Sequence, residues 1–349
     1  MQLRRTPAAI AGIFAVLAMA GCSGSSSPSS PGASATSPST SVSTSPGGSP
    51  GTRPTCPLTG MAQQKHQSAT RAAVAVKIDN VAQALPQAGD NQADIVVEEL
   101  VEGGLTRLMA IFQCTAAPLV GPIRSARITD ADLLALLHGS ILGFSGANPK
   151  DLPPIEAHGD TVLVSQDNDP QYFDRNLSRP APHNVFSSTK RLRHAGLQRR
   201  SRLTAPKPLF SYGSIDSAAR GAKHISLNWP AASAVWTWSH NSWLRTQDGS
   251  ADMLTNGKQV SATNVVIMSV DIASTGLHDV LGNASPLDVT VGSNPVWVMR
   301  NGKIIKGTWK RPTVTSPLSL LDASGHVINL APGRTWIELL PKGSRPSRH

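Results

Sequence analysis

The chain has 349 residues, and 32 Lys and Arg residues outnumber 22 Asp and Glu residues, which gives a formal net charge of +10. This positive charge favours anionic neighbours, but no motif of a nucleic-acid-binding fold is present, so we expect no nucleic-acid partner. The ten histidines have no metal-ligand spacing, and the sequence predicts neither a metal site nor a cofactor.

The N-terminus has the pattern of an export signal. Residues 1–21 combine two arginines with an apolar run that is too short to span a membrane. The run ends in Met19-Ala20-Gly21-Cys22, which resembles a bacterial lipobox, although Met19 replaces the usual leucine. Cleavage of an ordinary signal peptide nearby is the alternative. The lipobox predicts that Cys22 is lipidated and anchors the protein at the extracytoplasmic face of the cell membrane.

Residues 22–55 consist almost entirely of Ser, Pro, Gly, Thr and Ala. A segment of this composition cannot bury a hydrophobic core, so we expect a disordered tether. The folded body then begins near Cys56. Cys56 and Cys114 form an even pair of cysteines in an oxidising compartment, which predicts a disulfide bond, with two buried free thiols as the alternative.

Residues 94–113 predict a β-hairpin. Two runs rich in Val, Ile and Leu flank Gly103-Gly104, and two residues that tolerate positive φ favour a tight turn. A loop of two residues would place Leu100 opposite Arg107. A helix that ends at Gly103 is the competing interpretation.

In this register Glu99 is the one charged residue on an otherwise apolar face. A carboxylate in such a place must pair, change its pKa or face a cleft, so Glu99 is a candidate acid, base or ligand-binding group. A structural ion pair with a nearby arginine is the alternative. Arg107 would lie on the other face, diagonal to Glu98 and Glu102 and within reach of an ion pair with each.

Arg124 and Arg127 precede a predicted helix. The segment Thr129-Asp130-Ala131-Asp132, followed by the apolar run 133–138, is typical of a helix start. Backbone N–H groups at that start would, together with the two arginines, form a binding site for an anion. In the alternative interpretation, both arginines pair with the acidic hairpin.

The rest of the first half predicts short strands and one basic helix. We expect strands at 72–80, 141–146 and 161–165 and a helix from 187 to about 200. In the loop before that helix, His183 and Asn184 follow a proline. Both are candidate site residues, and turn capping is their alternative role.

Residues 201–228 contain prolines and serines with weak periodicity, and we place a domain boundary there. Beyond it we expect strands at 265–270 and 334–340 and a hairpin that turns at Asn301-Gly302. The expected architecture is an α/β (α+β) N-terminal domain with a mixed sheet, residues 56–205, and a smaller β-rich C-terminal domain, residues 206–349.

Four segments of the chain carry a resemblance to a known family. They are ADIVVEELVEGGLTRLMAIFQ, VGPIRSAR, PHNVFSSTKRL and VWVMRNGKIIKGTW, in this order. With this set of motifs the chain resembles the YerB-like bacterial lipoproteins over nearly all of residues 57–340. The resemblance implies an N-terminal α/β domain and a smaller β-rich C-terminal domain on an exported, lipid-anchored protein.

Two functions are compatible with these residues. The first is a cell-envelope protein, anchored through lipidated Cys22, that binds an anionic envelope polymer or an envelope protein. The second is an envelope hydrolase or phosphotransferase that uses the hairpin acids and the Arg-x-x-Arg segment. A set of carboxylates without an evident nucleophile favours binding. The candidate ligand-binding residues are Glu98, Glu99, Glu102, Arg107, Arg124, Arg127, His183 and Asn184.

Overall fold

The structure, a computed structural model, describes residues 54–214 and 219–348. The predicted signal at 1–21, Cys22 and nearly all of the predicted tether lie outside the described residues. Within them, no helix is long and apolar enough to cross a membrane. The described residues belong to one compact unit that contains both large β-sheets and both apolar cores, which is the content of a domain that folds alone.

Three α-helices accompany the short strands of the first half. The helices are α1 (Thr129–Ala135), α2 (Leu152–Gly159) and α3 (Thr189–Arg199). The strands are β1 (Ala73–Asp79), β2 (Ile95–Leu100), β3 (Thr106–Phe112), β4 (Ser140–Phe144), β5 (Val162–Ser165), β6 (Asp174–Arg175) and β7 (Val185–Phe186). These elements confirm the predicted strands and the predicted basic helix.

The second half of the described chain contains strands and turns. Its strands are β8 (Arg220–Gly221), β9 (His224–Asn228), β10 (Ser233–Ser239), β11 (Ser242–Gln247), β12 (Ser250–Ala251), β13 (Ser261–Ala262), β14 (Asn264–His278), β15 (Ala284–Val289), β16 (Gly292–Arg300), β17 (Lys303–Arg311), β18 (Ser319–Asp322), β19 (Thr335–Pro341) and β20 (Ser347–Arg348). The hairpin of β16 and β17 turns at Asn301-Gly302 as predicted, because both residues adopt the positive φ that such a turn requires.

One mixed sheet of twelve strands crosses the predicted domain boundary. Its order is β18-β17-β16-β14-β19-β2-β3-β1-β4-β5, with β15 paired to β14 and β8 paired to β17. Strand β19, near the end of the chain, lies parallel to both β14 and β2, so the strands of the second half continue the sheet of the first half. The fold is therefore largely β, with few helices.

The twelve-stranded sheet is covered on both faces. A six-stranded sheet, with the order β12-β11-β10-β9-β20 and with β13 paired to β11, packs on one face. Val96, Trp236 and Trp336 belong to the apolar core on that side. Val97 points the other way and packs in a second core with Leu134 of α1. Successive residues of a strand point to opposite faces, so each strand supplies both cores.

A disulfide bond joins Cys56 to Cys114, with 5.8 Å between their Cα atoms. It ties the first described turn to the residues that follow β3. Arg71 closes the same region, since its guanidinium donates a 2.7 Å hydrogen bond to the carbonyl oxygen of Cys114. Of the two interpretations of these cysteines, the structure contains the disulfide.

The predicted hairpin is present as β2 and β3, but the predicted register is wrong by one residue. Glu99 lies opposite Arg107, and Leu100 lies opposite Thr106. The loop holds three residues instead of two, because Val101 N–H bonds to the carbonyl oxygen of Leu105 at 2.8 Å. One extra loop residue moves every side chain of β3 to the other face.

The corrected register changes the neighbours of Arg107. Its side chain shares a face with Glu99 and, across β1, with Asp79. The predicted diagonal contacts of Arg107 with Glu98 and Glu102 are therefore wrong. Glu98 points to the opposite face of the sheet, into the core that the second sheet covers.

Candidate functional site

An open cleft of about 770 Å³ lies at one edge of the structure, where β1 ends and the hairpin turns. It brings together five of the eight predicted site residues, from three separate parts of the chain. They are Glu102, Arg107, Arg124, Arg127 and His183. Asp79 joins them from the end of β1. We call this feature the arginine cleft.

The backbone explains why the arginines meet. Arg107 lies on β3 directly beside Asp79, the last residue of β1. The segment that follows β3 returns along the end of β1, where Arg124 N–H donates to the carbonyl oxygen of Lys77 at 3.0 Å. Asp130, in the first turn of α1, accepts a 2.8 Å hydrogen bond from Arg127 N–H and fixes the start of the helix.

Arg127 pairs with Glu102 of the hairpin loop. Both its Nε and one terminal nitrogen donate to Oε2 of Glu102, at 2.9 and 2.7 Å. Ser285 donates a further 2.6 Å bond to Oε1 of the same carboxylate. Burial alone would raise the pKa of Glu102, but the hydrogen bond and charge of Arg127 outweigh it, and the pKa is lowered. For Arg127, the interpretation as a partner of the acidic hairpin is confirmed.

Arg124 pairs with Asp79 instead of with the hairpin. Its Nε lies 2.9 Å from Oδ2 of Asp79, although the N–H does not point along a hydrogen bond. Nδ1 of His183 lies 2.7 Å from the same oxygen. A ring nitrogen that faces a carboxylate carries the proton, which leaves Nε2 of His183 as the group available to a ligand. The side chain of Asp79 is 1% exposed, and its Oδ1 has no hydrogen-bond partner in the described chain.

Arg107 is the cation of the cleft without an ion pair among the described residues. Its side chain is 6% exposed, its Nε has no hydrogen-bond partner there, and one terminal nitrogen reaches the carbonyl oxygen of Ser125 at 3.4 Å. Burial, together with the charges of Arg127 and Arg124, lowers the pKa of Arg107 to about 10, although the carboxylates of Asp79 and Glu102 oppose this effect. Three guanidinium groups therefore converge, and within the described part of the chain Arg107 is the one that forms no ion pair, an arrangement that favours binding of an anion.

Glu99 does not reach the cleft. It is completely buried and pairs with Lys77 of β1, whose ammonium also contacts Oδ1 of Asp130 at 2.7 Å. Burial and repulsion from Asp130 raise the pKa of Glu99 to about 7, although Lys77 opposes this effect. The predicted structural ion pair is therefore present, but its cation is a lysine and not an arginine. The sequence signal for it was the single Lys within the apolar strand β1.

Glu98 and Asn184 also lie outside the cleft. Glu98 accepts hydrogen bonds from Arg245 at 2.6 Å and from Asn80 at 3.0 Å, between the two large sheets. Asn184 is buried in its loop, where its side-chain oxygen accepts a 2.9 Å hydrogen bond from Arg175. Both residues therefore hold elements together and do not line the site.

An enzyme that uses the hairpin acids with the Arg-x-x-Arg segment would need those groups in one pocket, but Glu99 and Arg124 do not share one. The hairpin acids are separated because adjacent residues of a strand point to opposite faces. Glu98 lies in one core, Glu99 in the other, and Glu102 alone opens to the cleft, where Arg127 neutralises it. Among residues 54–214 and 219–348, no group of three or more His, Cys, Asp or Glu side chains is arranged to hold a metal ion.

Asp79 is a charged residue at the base of the cleft that was not among the predicted site residues. The available signal was its place as the one carboxylate of a buried apolar strand, at the strand's end, since polar residues at strand ends often face a cleft. The contact with His183 had no signal at all, because 104 residues separate the two in sequence.

Comparison with known proteins gives a consistent relationship over most of the chain. Residues 58–202 match the family described as protein of unknown function (DUF3048) N-terminal domain, and residues 225–337 match the corresponding C-terminal domain. The protein described as "Putative lipoprotein YerB" from Bacillus subtilis (strain 168) is 28% identical over 298 residues, which cover 82% of this chain and 86% of that protein. The crystal structure of YerB from Bacillus subtilis has a TM-score of 0.72 and 25% identity, and the match covers 85% of this chain and all of that one.

Proposed function

This chain belongs to the DUF3048 family, and on that premise we propose that it is an exported, lipid-anchored envelope protein whose arginine cleft binds a phosphorylated ligand. Lipidation at Cys22 is supported by the lipobox-like sequence and by a relative that is described as a lipoprotein. A lipidated Cys22 would hold the folded body near the extracytoplasmic face of the membrane, where phosphorylated polymers and head groups are abundant ligands for a basic protein.

The observation that carries the binding proposal is Arg107. A buried guanidinium without an ion pair costs several kcal/mol of stability, so an unpaired cation at the base of an open cleft is expected to have a partner in the bound state. Arg124 contacts Asp79 through its Nε, so its terminal nitrogens are left to donate to an anion placed beside Arg107. Phosphate suits this set, because its several oxygens can accept from more than one guanidinium at once.

The proposal is tested by anion binding to residues 52–349. Pyrophosphate, inorganic phosphate and sodium chloride at matched ionic strength are added, and the melting temperature is measured. At a hundredfold its dissociation constant, a ligand stabilises the folded state by about 2.7 kcal/mol. We expect pyrophosphate to raise the melting temperature well beyond the salt control.

Two variants make the test specific. Arg107→Gln removes the unpaired charge of the cleft and should abolish the shift caused by pyrophosphate. Arg202→Gln removes one charge from an exposed residue outside the cleft and should leave the shift intact. If neither phosphate compound shifts the melting temperature of the wild-type protein, or if both variants respond alike, the cleft is not an anion site.

We do not propose the hydrolase or phosphotransferase. Glu102 is the one hairpin acid in the cleft, and its pKa is lowered, so it is a poor proton donor at neutral pH. The cleft offers charge and hydrogen-bond donors for holding an anion, and its geometry supports binding.

A further inference from the structure

A β-arm contributes its turn to the lining of the arginine cleft. Strand β14 has 15 residues, of which the first seven are buried and the rest are exposed or half-buried. The exposed part pairs with β15 and ends in a turn at residues 279–283. The two side chains at this tip are apolar, and both stand free of the protein: Val280 is 102% exposed and Leu281 is 83% exposed.

The tip is held in a defined conformation by its first residue. Oδ1 of Asp279 accepts hydrogen bonds from the N–H groups of Leu281 at 2.9 Å and Asn283 at 2.8 Å. Oδ2 of Asp279 accepts a third bond, at 3.0 Å, from the side-chain amide of Asn283. Isolated apolar side chains are common on protein surfaces. A hydrogen-bonded turn that exposes two adjacent apolar side chains is unusual.

Val280 and Leu281 are among the lining residues of the cleft that contains the three arginines. Val280, Leu281 and the half-exposed Leu105 lie at its rim, while Arg107 lies among its buried residues. The cleft therefore combines the unpaired Arg107 among its buried residues with an apolar edge, and the carboxylates of Asp79, Glu102 and Asp279 also belong to its lining. A ligand that fits both parts has an anionic head and an apolar chain.

We propose that the arginine cleft binds the phosphate of a lipid head group while Val280 and Leu281 enter the acyl layer beside it. This inference rests on the proposed function and names the class of its ligand. A tip of two side chains is too small for a stable protein interface, which buries about 800 Å² on each partner. Binding to a bilayer does not need an interface of that area, because a small apolar element next to cationic residues is sufficient for an anchored protein to bind the membrane surface.

The test is binding of residues 52–349 to lipid vesicles, which removes the contribution of the lipid on Cys22. Vesicles that contain phosphatidylglycerol are compared with vesicles of phosphatidylcholine alone, and the bound fraction is measured by sedimentation. The double variant Val280→Ser with Leu281→Ser should lose tenfold or more in affinity for the anionic vesicles, since each side chain loses its transfer into an apolar phase. Leu177→Ser, at a residue that is 88% exposed and outside the cleft, is the matched control and should bind as the wild type does.

Pyrophosphate separates this inference from the proposed function. The double variant should keep the pyrophosphate-induced melting shift of the wild type, and Arg107→Gln should lose both that shift and vesicle binding. A double variant that binds vesicles as tightly as the wild type would overturn the role of the tip. If soluble glycerol phosphate prevents all vesicle binding, and the substitutions at Val280 and Leu281 have no effect on that binding, the ligand of the cleft is a free phosphate compound. Absence of any pyrophosphate shift would instead overturn the anion site itself.

Discussion

Replacing Asp90 by asparagine should change how the stability of this protein depends on pH. The side chain of Asp90 is 3% exposed, and neither of its oxygens has a hydrogen-bond partner within the described chain. Burial and repulsion from Asp252 raise its pKa from 3.8 to about 7, although Arg245 opposes the rise. The folded protein therefore holds a proton that the unfolded chain releases in mildly acidic solution.

The sign and size of the effect follow from this difference. Between about pH 4 and about pH 7, unfolding releases the proton of Asp90, so the free energy of unfolding falls as the pH rises. A difference of about three between the two pKa values corresponds to roughly 4 kcal/mol over that range. Above pH 7 both states have lost the proton, and Asp90 makes no further contribution to the slope.

Urea denaturation at a series of pH values from 4 to 8 tests the prediction. The Asp90→Asn variant cannot ionise at this residue. Its free energy of unfolding should therefore increase relative to that of the wild type as the pH rises, by roughly 4 kcal/mol in all. Asp167→Asn, at an exposed residue, should follow the wild type. A difference between Asp90→Asn and the wild type that stays constant with pH would refute the reasoning, whatever its size.

Three further predictions concern the frame around the cleft. Lys77→Met leaves two buried carboxylates without their cation and should lower the free energy of unfolding by about 3–5 kcal/mol in urea denaturation. Replacing Cys56 and Cys114 by serine opens a loop of 58 residues and should cost about 4 kcal/mol, and a reducing agent should give the wild type the same loss. Alanine at Gly103 or Gly104 meets a positive φ, with a strain of about 1–2 kcal/mol. The loss should be larger at Gly104, where the added carbon would lie 2.7 Å from a proline side chain, and equal losses in thermal denaturation would contradict this.

Local patterns were sufficient to predict most elements of the large sheet. The hairpin of β16 and β17, the buried strands and the basic helix each have a signal within a few residues of themselves. The union of the two halves in one sheet has no such signal. It depends on β19, which is buried on nearly every residue and can therefore lie between two other strands, but nothing in its sequence says which two.

The candidate site was predictable in composition but not in geometry. The Arg-x-x-Arg segment and the acidic hairpin were recognisable as neighbours in sequence, and three arginines do converge. The register of the hairpin depended on whether Glu102 belongs to the strand or to the loop. In the structure Glu102 belongs to the loop, and this determines which face every side chain of β3 occupies.

The distribution of charge explains why the cleft, and not the hairpin as a whole, is the candidate site. Each of the three hairpin glutamates pairs with a cation: Arg245 for Glu98, Lys77 for Glu99 and Arg127 for Glu102. The acids are therefore neutralised inside the fold and have little charge to offer a ligand. Arg107 is left over, buried beside other guanidinium groups that raise the cost of its own charge. An external anion would relieve that cost, and the apolar tip at the rim of the cleft favours one that belongs to a lipid.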